Sequence, residues 1–248
     1  MSHLASHLNS KLVQSDIEQE AIRAGFGRGL VEAGRRNSQV VALCADLTES
    51  TKMDSFAKEF PERFVEVGVA EQNLVTVGAG MALMGKIPFV SSYAAFSPGR
   101  NWEQIRTTIC LNEANVKIVG SHAGVSVGPD GATHQMLEDI ALMRVLPNMR
   151  VVVPADSLEA EKATIALGAS KGPAYLRLGR EKTPQVTTSD SPFSLARSEV
   201  FREGSDLTIA VCGVMVYQAL IAAEMMSKDG IEAEVINCAV IKPFDNHT

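Results

Sequence analysis

Six short runs constrain this chain most. QVVALCA (residues 39–45), FVEV (64–67), KIPFVSS (86–92), VKIVG (116–120), RVVV (150–153) and PAYLRL (173–178) are mostly apolar, and stretches with helical spacing separate them. A run that is apolar at nearly every position has no face for water, so it belongs inside a parallel sheet covered on both sides. Strand and helix alternating five or six times predicts an α/β fold, a doubly wound parallel sheet with helices on both faces. In such sheets ligands bind outside the carboxyl ends of the strands. Polar or aromatic groups follow several of these strands: Asp46-Leu47-Thr48-Glu49-Ser50, Tyr93-Ala94-Ala95-Phe96, Ser121-His122 and Gly179-Arg180.

The stretch FVEVGVAEQNLVTVGAGMALM (64–84) holds a strand, a break at Gly68 and a helix that carries almost no charge. A helix apolar all round is expected to be buried on both sides. Its one acid, Glu71, stands in the first turn. An acid there favours the helix dipole, and an acid in an apolar wall beside a strand-to-helix turn is also placed to exchange a proton with a ligand. Further on, AGVSVGPDGATHQ is rich in glycine and carries Asp130 and His134, with His122 just before it. It lacks the Gly-Lys-Ser/Thr of a P-loop. No third ligand at short fixed spacing favours a metal site. The grouping reads as a polar site.

Ser15-Asp16-Ile17-Glu18 has the spacing of a capping box and predicts a helix over 15–34 that contains Arg23. Further helices are expected over 55–59, 100–111, 133–145 and 158–170. Residues 1–14 read as a flexible terminus, 15–180 as the first domain, and 181–204, rich in Thr, Ser and Pro, as a linker. From 205 to 248 a second α/β unit begins, with strand LTIAVCG, a helix and strand IEAEVINC. Two strands and one helix bury little core, so this unit is expected to be the incomplete start of a domain.

Composition excludes several classes. A net charge of −6, with no basic run, argues against a nucleic-acid binder. Cys44, Cys110, Cys212 and Cys238 show neither zinc nor disulfide spacing, which suits reduced thiols and a cytoplasmic location. No signal-peptide core and no apolar run of membrane-spanning length is present, so no membrane partner is expected.

The ordered motifs CADLTES, VEVGVAEQNL, SSYAAF, GSHAGVSVGPDGATHQMLEDIALMRVLPNM and YLRLGR together resemble the pyrimidine-binding domain of transketolases. The part after residue 205 resembles the opening of that family's C-terminal domain. The likeness is to the C-terminal subunit of a split transketolase. It implies thiamine diphosphate shared between this chain and another, with Glu71 bonded to the pyrimidine ring nitrogen. It also implies Phe96 stacked on that ring, Tyr93 in the same cluster, and Asp46 and Leu47 lining the cofactor cleft. His122, Asp130 and His134 match groups that contact sugar hydroxyls and the reacting carbonyl, with Glu71, His122 and His134 the catalytic set. Arg23, Ser50 and Arg180 match the cluster that grips a sugar phosphate, a task suited to the planar fork of arginine. The family's Gly-Asp-Gly…Asn motif for diphosphate and Mg2+ is missing, so no metal ligand is assigned here. An N-terminal subunit carrying that motif is the expected partner, in a heterotetramer. Two alternatives stay open. One is a subunit of a related thiamine enzyme, such as the β subunit of a 2-oxoacid dehydrogenase or a deoxyxylulose-phosphate synthase. The other is a truncated chain that only binds a partner.

Overall fold

A computed structural model describes residues 3–248. Its main sheet has seven strands in the order β12-β6-β7-β5-β4-β2-β3. Here β2 is Val40–Cys44, β3 Phe64–Glu66, β4 Ile87–Tyr93, β5 Lys117–Ser121, β6 Arg150–Val152, β7 Ala174–Arg177 and β12 Val240–Lys242. All neighbours are parallel except β12, which runs antiparallel to β6. The pleat sorts β2 between two cores. Val40, Ala42 and Cys44 face one cluster with Phe26, Leu30 and Leu167, while Val41 and Leu43 face another with Leu74, Val75 and Ile109. This is the doubly wound α/β sheet expected from the alternating runs.

Helices α1 (Ile22–Arg36) and α6 (Ser157–Ala169) cover the first face. They approach closely at Gly25, where a Cβ would lie 1.7 Å from the Ser157 carbonyl oxygen. Helix α3 (Glu71–Leu83), helix α4 (Trp102–Gln104, continuing as a π-helix Ile105–Cys110) and helix α5 (Asp139–Val145) cover the second. A short helix α2 (Asp54–Glu59) packs beside α1.

Four local expectations are corrected. Helix α1 begins at Ile22, not Ser15, because Gln19–Ala21 forms strand β1, paired with β8 (Lys182–Pro184). That long-range pairing overrides the capping box. Helix α5 begins at Asp139, not residue 133: Gly124 and Met136 exchange two backbone hydrogen bonds of 2.8 and 3.1 Å, which hold the segment in a closed loop. Helix α3 buries only one side in this chain; Leu74, Val75 and Ala79 are covered, whereas Val69 just before it, and Leu83 and Met84 at its end, are exposed. Residues 3–14 are packed, not frayed: Leu8 and Leu12 are buried in a third core with Phe201, Leu220 and Val235, while residues 1 and 2 lie outside the described residues.

That third core belongs to the second unit, a three-stranded sheet β10-β11-β9. Its elements are β9 (Glu199–Arg202), β10 (Leu207–Val211), helix α7 (Met215–Lys228) and β11 (Ala233–Asn237). Strand β9 comes from the stretch read as linker. Arg202 is almost wholly buried and is tied to Glu232 at 2.6 Å and Glu224 at 3.0 Å.

Candidate active site

The carboxyl ends of β2, β3, β4, β5 and β7 deliver their following residues to one edge of the sheet. After β2 the chain turns sharply, with Asp46 in the left-handed region at φ 58°. Glu66, the last residue of β3, holds that turn: its carboxylate accepts the Asp46 N–H at 2.6 Å, the Thr48 hydroxyl at 2.9 Å and the Gly68 N–H at 3.1 Å. Leu47 packs partly on the first core, and the Ser50 carbonyl accepts a 2.8 Å hydrogen bond from Arg23 Nη1 of α1.

Tyr93 ends β4, and its ring is the centre of an aromatic cluster. It stacks on His122 with centroids 3.8 Å apart and on Phe96 at 6.1 Å. His134 meets Phe96 edge-on at 5.2 Å and Tyr93 at 6.0 Å. The closure at Gly124 and Met136 returns His134 to this cluster across a glycine-rich loop. Asp130 lies exposed on that loop, in the turn Gly128–Asp130. The loop rests on a buried anchor: Asp139 Oδ2 accepts from the Tyr175 hydroxyl and from Arg177 Nε, each at 2.8 Å. Arg180, after β7, lies over Gly128, where a Cβ would come within 2.4 Å of its Nη1, and pairs with Glu181 at 2.6 Å.

His122 is 2% exposed and also left-handed, at φ 57°. Such backbone in a residue other than glycine is strained, and strain of this kind gathers at functional sites. Burial, reinforced by Arg23, Arg180 and His134, pushes its pKa down to about 3. The ring is therefore neutral. Arg23 Nη1, which can only donate, lies 3.3 Å from Nε2, so Nε2 is the acceptor and Nδ1–H donates to Ser121 Oγ at 2.8 Å. Burial and the nearby Arg180 lower the Arg23 pKa in turn. Its Nε is buried without a hydrogen-bond partner. A buried charged donor left unpaired is costly, so Arg23 is not fully satisfied by its own chain.

Glu71 is 2% exposed at the start of α3. Its Oε2 accepts from Arg100 Nη1 at 2.6 Å, and the Arg100 guanidinium lies 4.9 Å from the centre of the Phe96 ring. Arg100 thus joins the acid to the aromatic cluster. Arg23, Ser50, Glu71, Tyr93, Phe96, His122 and His134 fall into one chain of contacts; Arg180 enters it through its field on Arg23 and His122, and Asp46 and Leu47 through the Ser50 loop. Glu66, Asp139 and Arg100 were missed from sequence. The only signal for Arg100 was its place four residues after Phe96 in a turn that opens a helix. A concavity of about 710 Å³ lies elsewhere, between α1, α2 and α6. Its arginines are engaged, Arg28 by Glu20 and Glu161, Arg35 by Glu59 and Arg36 by Glu32, so it is a weaker candidate.

Comparison with known proteins decides the family. Residues 18–185 match the transketolase pyrimidine-binding domain, and 196–248 match the transketolase C-terminal domain. The chain belongs to the transketolase family. It is 44% identical over 228 residues to a Methanocaldococcus jannaschii chain named as a transketolase C-terminal section, covering 91% of this chain and 72% of that one. It is 38% identical to a 6-deoxy-6-sulfo-D-fructose transketolase subunit of Clostridium sp., covering 92% and 71%. A solved split-gene transketolase, described as an inactive β4 tetramer, superposes with a TM-score of 0.85 at 47% identity, covering 92% of this chain and 74% of that one. Within the transketolase match, the aromatic cluster, Glu71 and the arginines all fall inside the pyrimidine-domain segment. Among the described residues, no helix is long and apolar enough to cross a membrane.

Proposed function

We propose that this chain is the pyrimidine-binding subunit of a two-chain transketolase. It would move a two-carbon ketol unit between sugar phosphates when a second chain supplies the sites for diphosphate and Mg2+. The observation that carries this reading is a buried carboxylate joined to an aromatic face through one side chain. Glu71 and Phe96 are bridged by a planar cation at 2.6 and 4.9 Å, so a flat nitrogen heterocycle has both of its needs met there.

Thiamine diphosphate, when bound, would supply an acidic carbon that, once it has lost its proton to a base, can add to a ketose carbonyl. This chain's residues do the rest of what falls on its side. Glu71 holds a proton at the pyrimidine ring nitrogen. Phe96 stacks on the ring, with Tyr93 fixing its tilt, and Asp46 and Leu47 wall the cleft. His122, held neutral, and His134 face the sugar hydroxyls and the carbonyl, with Asp130 at the rim. Arg23 and Arg180 grip the substrate phosphate beside the Ser50 loop. The 47% identity to a split-gene transketolase supports diphosphate and metal binding on a partner chain. Two such pairs make the heterotetramer.

The test is Glu71→Gln in the reconstituted complex. Gln keeps the shape but cannot share an acidic proton. Hydrogen–deuterium exchange at the cofactor's C2 position should slow by about 10²–10⁴, the usual worth of a positioned acid–base group. Wild-type exchange in a normally folded variant would remove Glu71 from the chemistry. A wild-type complex that binds no cofactor would return the chain to the status of a non-catalytic partner.

A further inference from the structure

We infer that Arg177 is a positioning residue for sugar recognition: its guanidinium spans both stems of the loop that carries Asp130 and His134, and so fixes where they stand. This rests on the two-chain transketolase reading above. The loop leaves the sheet after β5 and returns at α5. Its stems meet where Gly124 and Met136 exchange backbone hydrogen bonds of 2.8 and 3.1 Å. The turn Gly128–Asp130 and His134 lie between them.

Alternation along β7 puts Tyr175 and Arg177 on one face, and both reach Asp139 at the start of α5. On the returning stem, Arg177 Nε donates to Oδ2 of that wholly buried acid at 2.8 Å, three residues after Met136. On the outgoing stem, the Ala123 N–H donates to the Leu178 carbonyl at 3.0 Å, which lays Gly124 beside the end of β7. A Cβ at Gly124 would come within 3.1 Å of Arg177 Nη2. Gly124 has φ 85°, a setting that suits glycine, so the guanidinium lies against bare main chain. A planar fork can hold two points at a fixed separation. Lysine, a point charge on a flexible stem, can serve Asp139 but not both. The groups proposed for the cofactor are held by other means. The Phe96 and Ser97 N–H groups donate to the Tyr93 carbonyl at 2.9 and 2.8 Å, and Asn101 Nδ2 donates to the Glu71 carbonyl at 2.7 Å. Loss of the Arg177 span should therefore fall on the sugar and spare the cofactor.

The experiment uses the complex of this chain with its complementary subunit. Arg177→Met removes both contacts and leaves a buried carboxylate short of a partner, which costs stability. Arg177→Lys keeps a charge for Asp139 and so guards against misfolding. Three quantities are measured: amide hydrogen exchange over the loop and its stems, thiamine diphosphate affinity in Mg2+ by calorimetry, and kcat/KM with sugar phosphates. In Arg177→Met, exchange at the Gly124 and Met136 amides should quicken by about tenfold. Its kcat/KM should fall by about 10–100-fold, since a displacement of about 1 Å can cost about 10². Arg177→Lys should fall between it and wild type, and the cofactor Kd should stay within about twofold in both. A purely structural ion pair behaves differently: Arg177→Lys would match wild type throughout, and Arg177→Met would lose cofactor affinity and turnover together. Either result, or unchanged exchange in both variants, would overturn the proposal. A wild-type complex that binds no cofactor and moves no ketol unit would sink the functional reading instead, and exchange would still decide whether Arg177 spans the stems.

Discussion

Glu159, in the first turn of α6, lies at the junction of the two units and is 3% exposed. Its Oε2 accepts the Ala155 N–H at 2.6 Å, and its Oε1 accepts from Asn237 Nδ2, at the end of β11, at 2.7 Å. Asp156, the wholly buried cap of α6, faces it and is itself bonded to the Glu159 N–H and to Thr187. Lys162 stands one turn on. Burial first, and then the Asp156 charge, push the Glu159 pKa from 4.5 up to about 8, against the pull of Ala155, Asn237 and Lys162. A raised acid binds its proton more tightly folded than unfolded. Its contribution therefore favours folding below 4.5 and is lost as pH rises through 8. A change of that size corresponds to at most roughly 5 kcal/mol at 1.36 kcal/mol per pKa unit. Glu159→Gln removes the titration and keeps the shape. Its oxygen can still accept from Ala155, and its amide can donate to Asn237 Oδ1, which is buried without a partner in the wild type. Denaturant unfolding of both proteins from about pH 5 to about pH 9 checks this. The two should agree at the acid end, and the variant should be the more stable by several kcal/mol at the alkaline end. Parallel curves across the range would mean that Glu159 stays ionised, and that the cluster is relaxed by water or by Lys162.

Two further perturbations test the frame and the phosphate site. Gly25→Ala places a methyl 1.7 Å from the Ser157 carbonyl oxygen; α1 and α6 must part, and a melting curve should show a loss of about 3 kcal/mol or more, while a loss below about 0.5 kcal/mol would mean the helices slide freely. Arg23→Ala should lower kcat/KM for phosphorylated sugars by about 10–100-fold, the worth of a charged hydrogen bond of about 1.5–3 kcal/mol, with a much smaller effect on unphosphorylated ones. The same variant should move the His122 titration upward from about 3, because one of its suppressing charges is gone; an unmoved NMR titration would contradict the contact between them.

Much of the candidate site was legible because it sits where elementary geometry puts it. Residues after apolar strand runs must lie at one edge of a parallel sheet, and Asp46, Tyr93, Phe96, His122 and Arg180 all follow or end such runs. Their partners were not legible. Glu66 looked like an ordinary strand residue until the sheet placed β3 beside β2 and brought it to the Asp46 turn. Arg100, at the start of the helix expected over 100–111, meets Glu71 only because α3 and α4 come together.

The same division holds for the whole chain. Runs such as VVALC and KIVGS, buried at every position, have only one stable setting, between two layers, so the parallel sheet and the class of fold follow from the order of residues alone. What local pattern could not decide was any choice between a near and a distant partner. Ser15 to Glu18 offered a helix cap, yet pairing of Gln19–Ala21 with Lys182–Pro184 gave the backbone its hydrogen bonds across the chain. Leu8 and Leu12, too sparse to signal an element, found a core only when β9, β11 and α7 had assembled. Strand β12 joined the larger sheet rather than its own, because the edge of β6 was open beside it. In each case the deciding free energy comes from burial and hydrogen bonds made between residues far apart in sequence, and those exist only once the tertiary structure has formed.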